Sequence, residues 1–187
     1  MAWRVLVTAR AFWVNGRPAS KALQSAGCDV VQSPRAGPLS IPELIQQLRG
    51  CDAVIGSSDP YVAEVFGASP QLKVVSRCGV GIDSVDLAGA TGAGVVITNT
   101  PGAMSEAVAD YAIGLLLAVA RKIADGHILM RSGGWGEYPG TLVWEKTLGL
   151  IGCGQIGRAV AIRAAGFRMR ILVYDPALSA DARAKLM

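Results

Sequence analysis

Short apolar runs alternate with helix-like segments along the first hundred residues. Ser40 is expected to cap the second helix, with Pro42 in its first turn and Gly50 just past its end. Repeated β-then-α units predict a parallel sheet covered by helices on both faces. The predicted strands cover residues 3–8, 28–32, 53–55, 72–76 and 95–98, and the predicted helices cover residues 18–26, 40–49, 60–66 and 85–91.

The pattern changes at residues 99–102, where Pro101 and Gly102 break regular structure. We therefore expect two domains, 1–99 and 100–187.

The second domain opens with a helix over 106–121, for which Ser105 is the expected N-cap. This helix is apolar nearly all round, so we expect it to be buried between layers or against another subunit. An irregular arm with aromatic residues follows at 133–144. The remaining predicted elements are a strand at 147–151, a helix at 155–165 and a strand at 171–174. A complete doubly wound nucleotide fold has two βαβαβ halves, so we expect this domain to be incomplete.

The pattern G-x-G-x-x-G is formed by Gly152, Gly154 and Gly157. It follows an apolar strand, opens a helix and precedes a strand that ends at Asp175, about 20 residues later, as the dinucleotide fingerprint requires. A glycine-rich turn in another α/β fold is the alternative.

Each position in this pattern has a physical role. Gly152 permits a tight turn, Gly154 lets a pyrophosphate approach the backbone, and Gly157 lets the helix pack on the strand. Free amides at the helix start and the helix dipole hold the pyrophosphate. Asp175 accepts hydrogen bonds from ribose hydroxyls and would repel a 2′-phosphate, and no Arg follows it directly. The motif therefore predicts NAD rather than NADP.

Composition narrows the remaining function classes. The four cysteines form no CxxC pair and no metal-ligand cluster, so we expect reduced thiols and no metal. The longest apolar stretch, 111–120, is about half of a membrane span, which favours a cytoplasmic protein without membrane contact. The net charge is +4. Four arginines lie close together in the sequence: Arg158, Arg163, Arg168 and Arg170. No nucleic-acid motif accompanies them, so they are interpreted as a solvated helix face.

Several segments together resemble the D-isomer-specific 2-hydroxyacid dehydrogenase family, in particular its phosphoglycerate dehydrogenase branch. They are RCGVGIDSVD at 77–86, NTPG at 99–102 with EAVAD at 106–110, KTLG at 146–149 and YDP at 174–176. The resemblance implies a flavodoxin-like parallel-sheet substrate domain followed by a truncated Rossmann NAD-binding domain. It also implies a homodimer that oxidises the CH–OH group of D-2-hydroxy acids with NAD. Phosphohydroxypyruvate, glyoxylate and hydroxypyruvate are all compatible substrates.

The resemblance also implies roles for single residues. The substrate carboxylate is expected at Arg77, Gly79, Val80 and Gly81, where loop amides form an anion nest. The cofactor is expected at Val80, Gly152, Gly154, Gln155, Ile156, Gly157 and Asp175. Asp83 and Asp86 are interpreted as loop and helix caps.

Departures from the family pattern open an alternative. The catalytic Arg, Glu and His of the family are expected beyond residue 187, so we assign no catalytic residue and expect the chain alone to be inactive. The single histidine, His127, is interpreted as a surface or interface residue. Gln155 replaces a usual Arg, and Arg168 replaces a usual helix-ending Gly. A non-catalytic NAD-binding module, either corepressor-like or a decayed remnant, is the alternative function.

Overall fold

The structure is a computed structural model, and it describes residues 2–178. The chain forms two compact units, Met1–Ala103 and Met104–Met187. Substrate binding by the first of these, unit 1, and NAD binding by the second, unit 2, stay predictions.

Unit 1 contains a five-stranded parallel sheet with the strand order β2-β1-β3-β4-β5. This is the flavodoxin-like order, as the sequence predicted. The strands are β1 (Arg4–Val7), β2 (Asp29–Gln32), β3 (Ala53–Gly56), β4 (Val74–Arg77) and β5 (Val96–Thr98).

The main apolar cluster of unit 1 lies on one face of the sheet. Leu6, Val54 and Val75 are in register on neighbouring strands, and at most 2% of each is exposed. They pack in one cluster with Leu44 and Leu48, both fully buried. Apolar residues on consecutive strands therefore fix the register, because a shift of one residue would turn them to the opposite face.

Five helices connect these strands: α1 (Arg10–Asn15), α2 (Arg17–Ser25), α3 (Ile41–Leu48), α4 (Ala63–Ala68) and α5 (Leu87–Gly92). The predicted start of α3 is confirmed as a capping box, in which Ser40 and Glu43 satisfy each other's backbone amides. Asp86 caps α5 as predicted, because its carboxylate accepts from the Gly89 amide at 2.9 Å. The sequence missed α1, which has no buried residue and hence no apolar periodicity to detect.

Within residues 104–178, unit 2 contains a two-stranded parallel sheet and three helices. Its elements are α6 (Ser105–Ala120), α7 (Ile123–Arg131), β6 (Thr147–Ile151), α8 (Gln155–Ala165) and β7 (Arg170–Tyr174). Ala109 of α6 packs against Ala159 and Val160 of α8, and Leu148 and Leu150 of β6 border this cluster. The first βαβ unit of a Rossmann domain is thus formed as predicted, while α7 was missed.

The predicted N-cap of α6 is wrong by one residue. Ser105 is the first helical residue and Met104 is the N-cap, because the Ser105 hydroxyl bonds to Gln155 instead of to its own helix. The helix is also mostly uncovered: Ala109 is its single buried residue among those described, whereas 79% of Val119 is exposed. Contact of this helix with another subunit stays a prediction.

Three of the four arginines that were interpreted as a solvated face are exposed: Arg158, Arg168 and Arg170. Arg163 pairs with Glu106 at 2.8 Å and Asp110 at 2.5 Å, which ties α8 to α6. The Arg168 guanidinium lies 4.8 Å from the centre of the Trp144 ring. Arg163 and Arg168 therefore also make local contacts within unit 2. Throughout residues 2–178, every helix is too short or too polar to cross a membrane.

Candidate functional site

A glycine turn connects β6 to α8 in unit 2. The Gly152 amide donates to the Tyr174 carbonyl at 2.8 Å, and its φ of +95° lies in the region that favours glycine. A side chain at Gly157 would collide with the Gly152 carbonyl oxygen, so the turn packs closely on the first turn of the helix. These positions have the properties predicted for the first and third glycines of the motif.

Gly154 differs from Gly157 because the space beside it is open, and from Gly152 because its φ of −71° is accessible to any residue. A Cβ built on Gly154 meets no atom within 4 Å. Protein packing therefore does not explain a glycine at this position, whereas close approach of a ligand to the backbone would.

The amides of Gly154, Gln155 and Ile156 point to an anion site at the start of α8. None of the three has a hydrogen-bond acceptor within residues 2–178. All three residues are exposed, and no side chain caps the helix. Free amides and the positive end of the helix dipole together favour a phosphate group.

Asp175 follows β7 and is half-buried beside this turn. One carboxylate oxygen accepts from the Cys153 amide at 2.7 Å, and the other accepts from the Ala177 amide at 2.9 Å. These two backbone hydrogen bonds lower the pKa of Asp175, so the group stays ionised. Each oxygen retains a further lone pair that can accept from a hydroxyl.

Two further side chains, those of Arg158 and Ser105, support this turn. The sequence analysis had not connected either of them to it. The Arg158 Nε donates to the Cys153 carbonyl at 3.0 Å, which places a cation beside the glycines. The Ser105 hydroxyl lies 3.3 Å from Gln155 Oε1, so Gln155 is anchored to α6. Arg158 directly follows the last glycine of the motif, so the sequence could have suggested its contact with Cys153. The contact between Ser105 and Gln155 depends on tertiary packing alone.

In unit 1, a second loop with free amides follows β4. The carbonyls of Gly79 and Val80 accept from the Thr100 amide at 3.0 Å and the Asn99 side chain at 2.8 Å. The amides of Val80 and Gly81 have no acceptor in the described part of the chain. The loop is therefore held by its carbonyls and leaves two amides for a ligand, as expected of an anion nest.

Arg77, the last residue of β4, lies against this loop. A side chain at Gly79 would collide with Arg77 Nη1, so the guanidinium lies beside the Gly79 backbone. The Arg77 Nε is buried and has no partner among residues 2–178. The structure thus brings Arg77, Gly79, Val80 and Gly81 together within unit 1.

The sequence analysis also missed a buried polar cluster near the carboxyl ends of β1 and β3. Asp59 is fully buried and accepts from the Thr8 hydroxyl at 2.6 Å and the Leu39 amide at 2.8 Å. Burial raises the pKa of the neighbouring Tyr61 hydroxyl, which donates to Asp59. Since these donors are distant in sequence and the cluster is closed to solvent, we assign it to fixing the loops beside the sheet.

The remaining candidates lie elsewhere. His127 is exposed on α7, and no carboxylate of residues 2–178 accepts a hydrogen bond from it or pairs with it. Over the same residues, His, Cys, Asp and Glu side chains form no group of three that could hold a metal.

Comparisons of this chain with a family model, with known proteins and with solved structures all indicate the same family. A family model described as the catalytic domain of D-isomer specific 2-hydroxyacid dehydrogenases matches residues 7–187. A glyoxylate reductase of Korarchaeum cryptofilum is 43% identical over 145 residues, which are 74% of this chain and 44% of that protein. A D-3-phosphoglycerate dehydrogenase of Rattus norvegicus is 39% identical over 167 residues, which are 88% and 31% of the two chains. This chain thus spans less than half the length of either relative.

Among solved structures, the NAD+-bound 3-phosphoglycerate dehydrogenase of Entamoeba histolytica superposes with a TM-score of 0.77. It is 28% identical, and the match covers 97% of this chain and 57% of that one.

Proposed function

Because the chain belongs to the D-isomer specific 2-hydroxyacid dehydrogenase family, we propose that it carries the substrate loop and the first half of the cofactor site of an NAD-dependent oxidoreductase. The reaction is hydride transfer between the CH–OH carbon of a D-2-hydroxy acid and NAD. NAD, when bound, supplies the hydride acceptor.

The residues of unit 2 fit the adenosine half of NAD. The free amides of Gly154, Gln155 and Ile156 are suited to hold the pyrophosphate, and the ionised Asp175 is suited to accept from the ribose hydroxyls. Arg158 adds positive charge beside the phosphates. The observation that supports this proposal most directly is the set of three free amides at the start of α8, beside the open space at Gly154.

The residues of unit 1 fit the substrate carboxylate. The free amides of Val80 and Gly81 and the guanidinium of Arg77 provide donors for one carboxylate. Contact of Val80 with the nicotinamide stays a prediction. His127 does not fit the role of general base, because it is exposed and no carboxylate among residues 2–178 orients it.

The effect of Gly154→Val on NAD binding tests this proposal. The added side chain would occupy the space proposed for the pyrophosphate and should weaken NAD binding about tenfold or more, as loss of hydrogen bonds to a charged group does. Calorimetry with NAD on the purified chain measures the effect.

Gly149→Val is the matched control, because a Cβ at Gly149 also meets no atom within 4 Å. It should leave NAD affinity within about twofold of the unsubstituted chain. Equal affinities for the Gly154→Val chain and the unsubstituted chain would contradict the proposed site.

A further inference from the structure

We propose that a cavity between α1, α2 and the first two strands of unit 1 binds a small aromatic carboxylate. The cavity has a volume of about 300 Å³, at the lower end of the range for small-molecule sites. It shares no lining residue with the loop that follows β4.

One wall of the cavity is apolar and aromatic. Phe12 and Trp13 of α1 face Val7 of β1 and Val30 of β2. The Trp13 indole N–H donates to the Val7 carbonyl at 3.3 Å, which fixes the orientation of the ring. A side chain at Gly16 would collide with the Phe12 carbonyl, so the tight turn into α2 requires a glycine. The fold thus places two aromatic side chains in the lining of the cavity, and a hydrogen bond holds one of them, the Trp13 indole.

The remaining lining of the cavity is mostly polar and comes largely from α2. Arg17, Ser20 and Gln24 are spaced i, i+3 and i+7, so they share one face of α2. A helix covering a sheet normally places apolar residues on that face. Here three polar side chains line the cavity instead.

These polar groups keep their hydrogen-bonding capacity. Across residues 2–178, the side chains of Arg17, Ser20 and Gln24 make no hydrogen bond and no ion pair, and the same holds for Gln32, which lines the cavity at the end of β2. All four side chains are therefore available to a ligand, since Arg17, Gln24 and Gln32 are exposed and Ser20 is half-buried.

The chemistry of the lining defines the ligand class. Arg17 is a cation, and no lining residue is a carboxylate, so the site favours an anion. The planar guanidinium matches a carboxylate, to which it can donate two parallel hydrogen bonds. Phe12 and Trp13 favour a flat ring beside them. The cavity is suited to one ring bearing one carboxylate.

Phenylacetate is a suitable probe, with the neutral phenylacetamide as its isostere. In ¹⁵N NMR spectra of the chain, the Trp13 indole signal is assigned by its loss in Trp13→Phe. Phenylacetate at millimolar concentration should shift this signal, and phenylacetamide should bind about tenfold more weakly because it lacks the charge. A Trp13 signal that does not move, or equal binding of the two probes, would overturn the proposal.

Two charge variants of the same helix locate the anion partner. Arg17→Gln should weaken phenylacetate binding about tenfold, whereas Lys21→Gln, one turn away and outside the lining, should bind as the unsubstituted chain does. Ser20→Val gives a second test from the same wall and should also weaken binding. In spectra without ligand, a Trp13 indole signal at the chemical shift of the unsubstituted chain shows that each variant is folded. Equal effects of Arg17→Gln and Lys21→Gln would contradict a specific site.

Discussion

At the residue scale, Arg168 shows how one substitution adds both strain and a contact. Its φ of +51° lies in the left-handed region between α8 and β7, where glycine is favoured. Its guanidinium stacks on Trp144. The resemblance already placed Arg168 where a glycine is usual, whereas the stacking depends on the fold of the arm.

Replacing Arg168 with Ala or with Gly separates these two effects. Arg168→Ala loses a cation–π contact worth about 0.5–1 kcal/mol and keeps the strained backbone. Arg168→Gly loses the same contact but relieves the strain, so it should be more stable than the Ala variant by about 1 kcal/mol. Denaturant unfolding of both variants measures the difference. An Ala variant at least as stable as the Gly variant would show that the turn is unstrained.

At the element scale, the start of α3 gives unit 1 a defined pH dependence. Hydrogen bonds from Arg35, together with those from Ser40, lower the pKa of Glu43 to about 2 from its ordinary 4.5. A carboxyl group whose pKa is lower in the folded state stabilises the fold fully above the ordinary value. This contribution is then lost as the pH falls from about 4.5 toward about 2.

Glu43→Gln should remove this dependence while keeping a residue that can complete the capping box. The unsubstituted chain should be more stable than the variant at pH 7, and the difference should shrink as the pH falls below about 4.5. Urea midpoints of both proteins over this pH range provide the measurement. A difference that stays constant down to pH 2.5 would show that the Glu43 carboxylate does not contribute in this way.

The elements also show what sequence patterns can detect. The bounds of β6 and α8 were predicted correctly, because an apolar strand, three glycines and a helix follow one another without interruption. The short α1 was missed because its residues are not buried, and α7 because its apolar residues, such as Ile128, are largely exposed. Burial generates the periodicity on which such predictions depend.

At the scale of the whole molecule, unit 2 carries an uncovered apolar stripe on α6. Tyr111, Leu115 and Val119 are spaced four residues apart and are 69%, 49% and 79% exposed. Exposed apolar surface of this kind marks an interaction site. We predict that the chain forms a homodimer through this stripe.

Val119→Glu should shift the chain to monomer in light scattering at micromolar concentration, because it places a charge within the predicted interface. Val14→Glu is the control, since Val14 is also exposed, at 67%, but lies on α1 of unit 1. A monomeric unsubstituted chain, or equal dissociation in both variants, would contradict this prediction.

The candidate site was predictable where one segment carries the chemistry. The positions of Gly152, Gly154 and Gly157 and the aspartate after the next strand are local signals, and the structure places them at one turn. The contact between Ser105 and Gln155 could not be predicted, since the two residues are 50 positions apart and meet only when α6 packs on α8. The same holds for the Asp59 cluster, whose donors include Thr8, 51 positions away.

The central claim, that unit 2 is the adenosine-binding half of an NAD site, is tested most directly by comparing NAD and NADP affinities by calorimetry. Asp175 is ionised beside the turn and should repel a 2′-phosphate, so NAD should bind at least about tenfold more tightly than NADP. Asp175→Ala should narrow this ratio. Equal affinities of the unsubstituted chain for the two cofactors would contradict the account.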